Sequence, residues 1–176
     1  DTLSRPYETG APELLREATR AHEAGMRTNG KESQAEYEDA MRLLAVILDN
    51  PIGGRNYTAW FQLGWLAWKV NPDVAAAEEA FFNAARLSRD KADLYHISSL
   101  RHMAYMQYLQ NKLNEAYESI SRAVHLSPDE HDVLYDAARY AAKTGREEEA
   151  LNLLSKCIDL RPQTIVAMFS EEDFLC

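Results

Sequence analysis

Apolar and polar positions along this chain repeat with a period of 34 residues. Leu100, Ala104, Asn111, Ala116, Ile120, Ala123, Val124, Leu126 and Pro128 are followed, each 34 positions later, by Leu134, Ala138, Gly145, Ala150, Leu154, Cys157, Ile158, Leu160 and Pro162. Recurrence at a fixed period of this size marks a repeat array whose unit is one supersecondary element. The apolar positions fall at helical spacing. Ala, Leu and Glu dominate while Val-Ile-Thr alternation is scarce, so the fold class is all-α.

Residues 1–11 contain Pro6 and Gly10 without periodicity and are expected to be a loose lead-in. A first helix starts at Pro12, where a first turn tolerates proline, carries Leu14, Ala18 and Ala21, and stops at Gly25. The polar stretch 26–33 is expected to be a long connection. Helix 35–48 presents Ala40, Leu44 and Ile47 on one face and ends before Pro51. Helix 57–69 carries Trp60, Leu63, Gly64 and Ala67. Asn71 and Pro72 then supply a cap and a first-turn proline for a helix bearing Ala77, Phe81, Ala84, Ala85 and Leu87. From Phe81 to Ile120 the period slips to 39 residues. With no breaker after Asp90, most of the excess should lengthen the following helix by about one turn. Helices 113–126, 131–143 and 147–160 follow, then a short closing helix over 163–169 and a tail over 170–176.

Trp60-x-x-Leu63-Gly64 followed by Ala77-x-x-x-Phe81-x-x-Ala84 resembles the tetratricopeptide repeat, a 34-residue helix-turn-helix unit. Repeats 57–90, 97–130 and 131–164 match it well, and 12–51 loosely, with a loop about ten residues too long. The third unit has Leu100 and Met103-Ala104 where the family prefers Trp and Leu-Gly. The resemblance implies one domain over 12–169, a right-handed α-solenoid of antiparallel helix pairs closed by a C-terminal capping helix. Neighbouring pairs stack because one pair cannot bury its apolar face alone.

In that family the first helices of the repeats line a concave surface. The resemblance therefore implies a groove built from Phe61, Trp65, Trp68, Arg101, Tyr105, Tyr108, Tyr135 and Arg139. Aromatics and arginine are enriched at binding hot spots, and a guanidinium can hold a carboxylate or phosphate through two bonds. Trp65 and Tyr105 lean furthest towards a neighbouring helix and could instead fill the gap there. One subtype grips a peptide carboxylate with Lys and Asn. Those positions fall here on Phe61 and Trp65, or on Leu15 and Thr19, so that mechanism is not expected. The expected function is a protein-interaction scaffold that holds a peptide or protein segment in the groove. The alternative is a self-association module stacking through its termini or groove.

Charge narrows the partner. Nineteen basic and 28 acidic residues leave a net charge of −9, which argues against nucleic acid or anionic lipid. No apolar run is long enough to span a bilayer. Cys157 and Cys176 form neither a metal spacing nor a disulfide framework; Cys157 sits at a core position, and a reducing, cytoplasmic compartment is favoured. The chain begins at Asp1, as expected of a processed or excised piece.

Chemistry is not encoded in any recognisable pattern. His96 and His102 lie six apart on one helix, a poor geometry for joint metal ligation. His125 and His131 flank a turn with Asp129, Glu130 and Asp132, where a surface metal site is the minor reading. Gly53-Gly54 lacks the lysine of a phosphate loop, and no Ser or Cys is set beside a His as a nucleophile. No catalytic residue, metal or cofactor is expected.

Overall fold

A computed structural model describes residues 5–70, 72–91 and 93–164. Among these the regular structure is helical: α1 (Arg5–Arg27), α2 (Gly30–Asp49), α3 (Tyr57–Val70), α4 (Val74–Ser88), α5 (Leu94–Leu109), α6 (Leu113–Leu126), α7 (His131–Lys143) and α8 (Glu147–Leu160). Single 3-10 turns precede α3 at Gly53–Arg55 and follow α4 at Arg89–Lys91. The chain forms two compact units, 1–91 and 92–176. The expected closing helix from residue 165 onward, the tail with Cys176, residues 1–4 of the lead-in and Asn71 lie outside the described residues.

In the first unit α1 packs on α2, α2 on α3, and α3 on α4. Ala18, Ala40, Leu44, Ile47, Ala59 and Leu66 are all fully buried there. Ala59 and Leu66 lie off the expected core stripe of α3, and they are buried because α3 has a helix on each side. A helix covered on two faces loses the one-sided pattern from which a stripe is read. The two pairs of this unit share one device. A Cβ on Gly64 would stand 2.9 Å from Phe81 Cε1, and a Cβ on Gly25 would overlap the Tyr37 ring. In each pair glycine on the first helix lets an aromatic ring of the second approach the backbone.

That device corrects the reading of the first pair. Gly25 does not stop a helix; α1 continues to Arg27, α2 begins at Gly30, and only Thr28 and Asn29 connect them. The polar stretch 26–33 is the solvated end of two helices rather than a loop, and Ser33 donates to the Gly25 carbonyl at 2.7 Å. Upstream, α1 already starts at Arg5, so the lead-in is helical from there. Pro6 takes the first-turn place where a missing N–H is harmless, and Pro12 lies inside the helix. At α4 the cap is Asp73, whose carboxylate accepts from the Ala76 amide at 3.0 Å.

In the second unit α5 packs on α6, α6 on α7, and α7 on α8. Leu100, Ala104, Ala116, Ile120 and Ala123 are fully buried, as are their counterparts Leu134, Ala138 and Cys157, with Ala150 and Leu154 nearly so. The last apolar pair departs from this: Leu126 is 40% and Leu160 45% exposed. The slipped period is absorbed in two places. Helix α5 starts at Leu94, three residues before the position equivalent to His131, and the rest forms the 3-10 turn after α4.

Asn111 and Gly145, one period apart, end α5 and α7 in the same way. Their φ values are +59° and +74°. Lys112 N–H donates to Gln107 O and Asn111 N–H to Tyr108 O, both at 2.9 Å. Arg146 N–H donates to Ala141 O at 2.9 Å and Gly145 N–H to Ala142 O at 3.0 Å. These are the paired bonds of a left-handed helix cap. A left-handed backbone costs a residue with a Cβ about 1–2 kcal/mol, which glycine escapes. Gly145→Ala is therefore expected to destabilise the second unit by about that amount, and Asn111→Gly to leave it unchanged or stabilise it. Urea midpoints followed by circular dichroism check both.

Candidate functional site

Phe61, Trp65 and Trp68 of the expected groove lie on α3 in the first unit, and the other five positions lie on α5 and α7 in the second. All eight are half-buried.

In the first unit Trp65 is the centre of an aromatic cluster. Its ring lies 4.6 Å from that of His22 on α1 and 6.0 Å from that of Tyr37 on α2. Trp65 thus fills the space where three helices meet, while the Lys69 ammonium sits 5.9 Å from the centre of its ring. Burial pulls the His22 pKa down against the opposing pull of Glu23, which keeps the imidazole neutral in the cluster. Phe61 meets Phe81 edge to face at 5.5 Å. Beside them Gln62 Nε2 donates to Thr19 Oγ1 at 3.0 Å, and Thr19 donates to the Leu15 carbonyl at 2.8 Å.

The second unit carries a polar cluster instead. Helix α5 contributes Arg101, His102, Tyr105 and Tyr108, and α7 contributes Asp132, Tyr135, Asp136, Arg139 and Tyr140. Arg101 Nε donates to Asp136 Oδ2 at 2.6 Å, and Arg101 Nη1 lies 3.6 Å from Asp132 Oδ2. The other Asp136 oxygen stands 3.5 Å from Arg139 Nη1, so one carboxylate joins both arginines. The Arg139 guanidinium also lies over the rings of Tyr108 and Tyr140, at 5.3 Å and 5.9 Å from their centres. Those two tyrosines stack at 5.1 Å. Tyr135 stacks on His131, whose Nε2 is 2.7 Å from Thr164 Oγ1.

Arg101, His102, Tyr105, Asp136 and Arg139 line an open cavity of about 290 Å³. Burial would by itself lower the Arg101 pKa; Asp136, with Asp132 behind it, outweighs that and raises it. Burial pulls the His102 pKa down despite its Nδ1 contact with the Ser98 carbonyl at 2.7 Å. That carbonyl can only accept, so Nδ1 carries the proton and Nε2 is an acceptor. Tyr140 is fully buried, and among the described residues its hydroxyl has no hydrogen-bond partner. Burial, reinforced by Asp136, pushes its pKa above the ordinary range and holds the hydroxyl protonated. Asp136, Arg139, Arg101 and Tyr105 all act on that hydroxyl, which places it at the cluster.

The cluster presents donors, acceptors and ring faces. Burial pushes the Cys157 thiol up to about 11, and its Sγ lies 3.8 Å from the His131 carbonyl, the environment of a core residue. Among the described residues no three His, Cys, Asp or Glu side chains could hold a metal ion together, and no helix is long and apolar enough to cross a membrane.

Asp132, Asp136, His102 and Tyr140 are absent from the sequence-based site. The signal for the two aspartates was available, since they stand four apart and so share a face of α7. That face is displaced one residue from Tyr135, the period counterpart of Arg101.

No protein-family model and no curated protein matches the chain. Solved structures do. Two crystal structures of MamA superpose with TM-scores of 0.66 and 0.68 at 17% and 16% identity. They cover 82% and 89% of this chain and 78% of each MamA chain. TPR-like repeats of a putative kinesin light chain from Podosopora anserina superpose with a TM-score of 0.65 at 16% identity, covering 94% of this chain and 82% of that one. The chain therefore has the all-α helical-repeat fold of the tetratricopeptide type.

Proposed function

We propose that this chain is a protein-interaction scaffold that holds a peptide or protein segment on the first-helix faces of its repeats. The observation that carries this reading is the Arg101–Asp136–Arg139 cluster beside its open cavity. Two guanidinium groups are held by one carboxylate, that of Arg139 also by ring contacts, on a chain whose net charge is −9. Fixing a long side chain before binding removes part of the ordering entropy that recognition otherwise requires. An acceptor group of a partner, carboxylate or phosphate, adds to the outer edge of Arg101, whose side chain is 36% exposed. In the first unit Trp65 serves packing, and Phe61 and Trp68 are the α3 residues offered to a partner.

The test starts from random peptides displayed against the wild-type chain, followed by titration of the peptides selected. Replacing both arginines alone would strand Asp136, so the informative variant removes the whole cluster: Arg101→Ala, Arg139→Ala and Asp136→Asn. Affinity is expected to fall by about tenfold or more, the loss of one to two hot-spot contacts. Wild-type affinity in this variant removes the cluster from the binding site. Self-association is the rival reading. Sedimentation that yields a concentration-dependent oligomer, weakened by Tyr105→Ala, would favour it over peptide capture.

A further inference from the structure

We infer that Asn29 is a site of spontaneous deamidation, a covalent modification that alters the hinge between α1 and α2. Asn29 alone among the eight asparagines is followed by glycine, which carries no side chain to hinder attack by its own nitrogen. The structure adds three conditions that an Asn-Gly pair does not guarantee. Asn29 and Gly30 are both exposed, in a connection of only two residues, Thr28 and Asn29. The Asn29 side chain makes no capping bond, although it occupies the cap position of α2, so its carboxamide is not tied down. Gly30 is the first residue of α2, and its N–H therefore has no partner within the helix.

Space and local stability also favour the step. A Cβ built on Gly30 would meet no atom within 4 Å, so the space beside its Cα is open. Asn29 has ψ of 156°, and the chain must turn about that bond to bring Gly30 N onto Cγ. Gly30, Lys31 and Glu32 are all exposed, which makes this the kind of helix end that opens locally at little cost.

The reaction needs only water and hydroxide. Base removes the Gly30 amide proton, and the nitrogen attacks Asn29 Cγ. The Gly30 N–Cγ bond forms, the Cγ–Nδ2 bond breaks, and Nδ2 takes up a proton from solvent and leaves as ammonia. The resulting five-membered imide is opened by water at one of its two carbonyls. Opening at Cγ gives aspartate in the normal chain; opening at the main-chain carbonyl gives isoaspartate, whose backbone runs through Cβ and Cγ. Nothing is oxidised or reduced.

The two products pull in opposite directions. Aspartate puts a carboxylate at the N-terminus of α2, where an acceptor and a negative charge are both favourable. Isoaspartate inserts an extra main-chain carbon into a two-residue connection, just beside the Gly25–Tyr37 contact and the Ser33 bond to the Gly25 carbonyl.

Incubating the intact folded chain in mildly alkaline buffer, with peptide mapping by mass spectrometry and isoaspartyl methyltransferase labelling, tests this. The expected result is conversion at Asn29 well ahead of the other seven asparagines, with methyltransferase-reactive product, and its complete loss in Asn29→Ser. A free peptide spanning 25–34 serves as the reference. If Asn29 stays intact in the folded chain after the peptide has converted, or if Asn29→Ser deamidates as fast as wild type, the inference is wrong.

Discussion

Phe81→Ala is expected to be the most damaging single substitution in the first unit, at about 3–5 kcal/mol, the range for a buried phenylalanine cut to alanine. Phe81 is 1% exposed; its ring lies on Gly64 and meets Phe61 edge to face. Gly64→Ala attacks the same contact from the other side. Its new methyl would sit 2.9 Å from Phe81 Cε1, so the ring must shift within a closed core. Overpacking of this kind costs about 1–3 kcal/mol. In the double variant the alanine at position 64 occupies part of the space that Phe81 vacates. The double is therefore expected to cost less than the sum of the singles by about 1 kcal/mol. All three tryptophans, Trp60, Trp65 and Trp68, lie on α3, so fluorescence during urea unfolding reports on the first unit. Additive costs would mean that the Gly64–Phe81 approach does not set the spacing of α3 and α4.

The contrast between these two positions and the arginine cluster explains what the sequence made legible. Most apolar period-34 positions are those where two helices must meet, so Leu100, Leu134, Ile120 and Cys157 are all fully buried, while the pair Leu126 and Leu160 stays exposed. A requirement imposed in every repeat leaves a mark in every repeat. Gly25 reads as a helix stop in the sequence because glycine has two uses, and only the partner, Tyr37, distinguishes close approach from a helix end. The cluster was half legible. Arg101 and Arg139 stood out against their repeat counterparts, Tyr135 and Tyr105, but the group that binds both arginines occupies position 136. Pairing across adjacent first helices joins residues 35 apart, one more than the period, and thus lies outside a comparison of equivalent positions. Tyr140 was hidden for another reason: its period counterpart, Met106, is an equally buried residue with nothing polar to flag.

That pairing makes Asp136→Ala the largest expected electrostatic effect. Asp136 and Arg139 have side chains 13% and 16% exposed, well below the 36% of Arg101. Removing the shared carboxylate takes an ion-pair partner from each of two neighbouring guanidinium groups and leaves Asp132 beside Arg101. Exposed pairs contribute roughly 0–1 kcal/mol and breaking a buried pair costs roughly 3–5, so a loss of about 2 kcal/mol is expected for this intermediate case. Asp132 should carry part of the load, because it already stands 3.6 Å from Arg101 Nη1. Asp132→Asn is therefore expected to be mild alone and more damaging on the Asp136→Ala background, a non-additive excess that urea unfolding of the second unit measures. Asp132 also gives the pair a pH signature. A bond from His131, with help from Arg101 and Arg161, holds its pKa below the ordinary carboxylate value against a smaller opposing effect of burial. In acid the unfolded chain then binds more protons at this site than the folded chain, so stability rises with pH there. The contribution of Asp132 is complete above the ordinary carboxylate pKa and is lost as pH falls through the depressed folded value. Asp132→Asn should lower stability in the neutral region by that contribution and flatten the acid limb of the unfolding curve, so that variant and wild type converge as pH falls through the depressed folded value. An unaltered acid limb would mean that the His131 and arginine contacts do not hold the Asp132 carboxylate in solution.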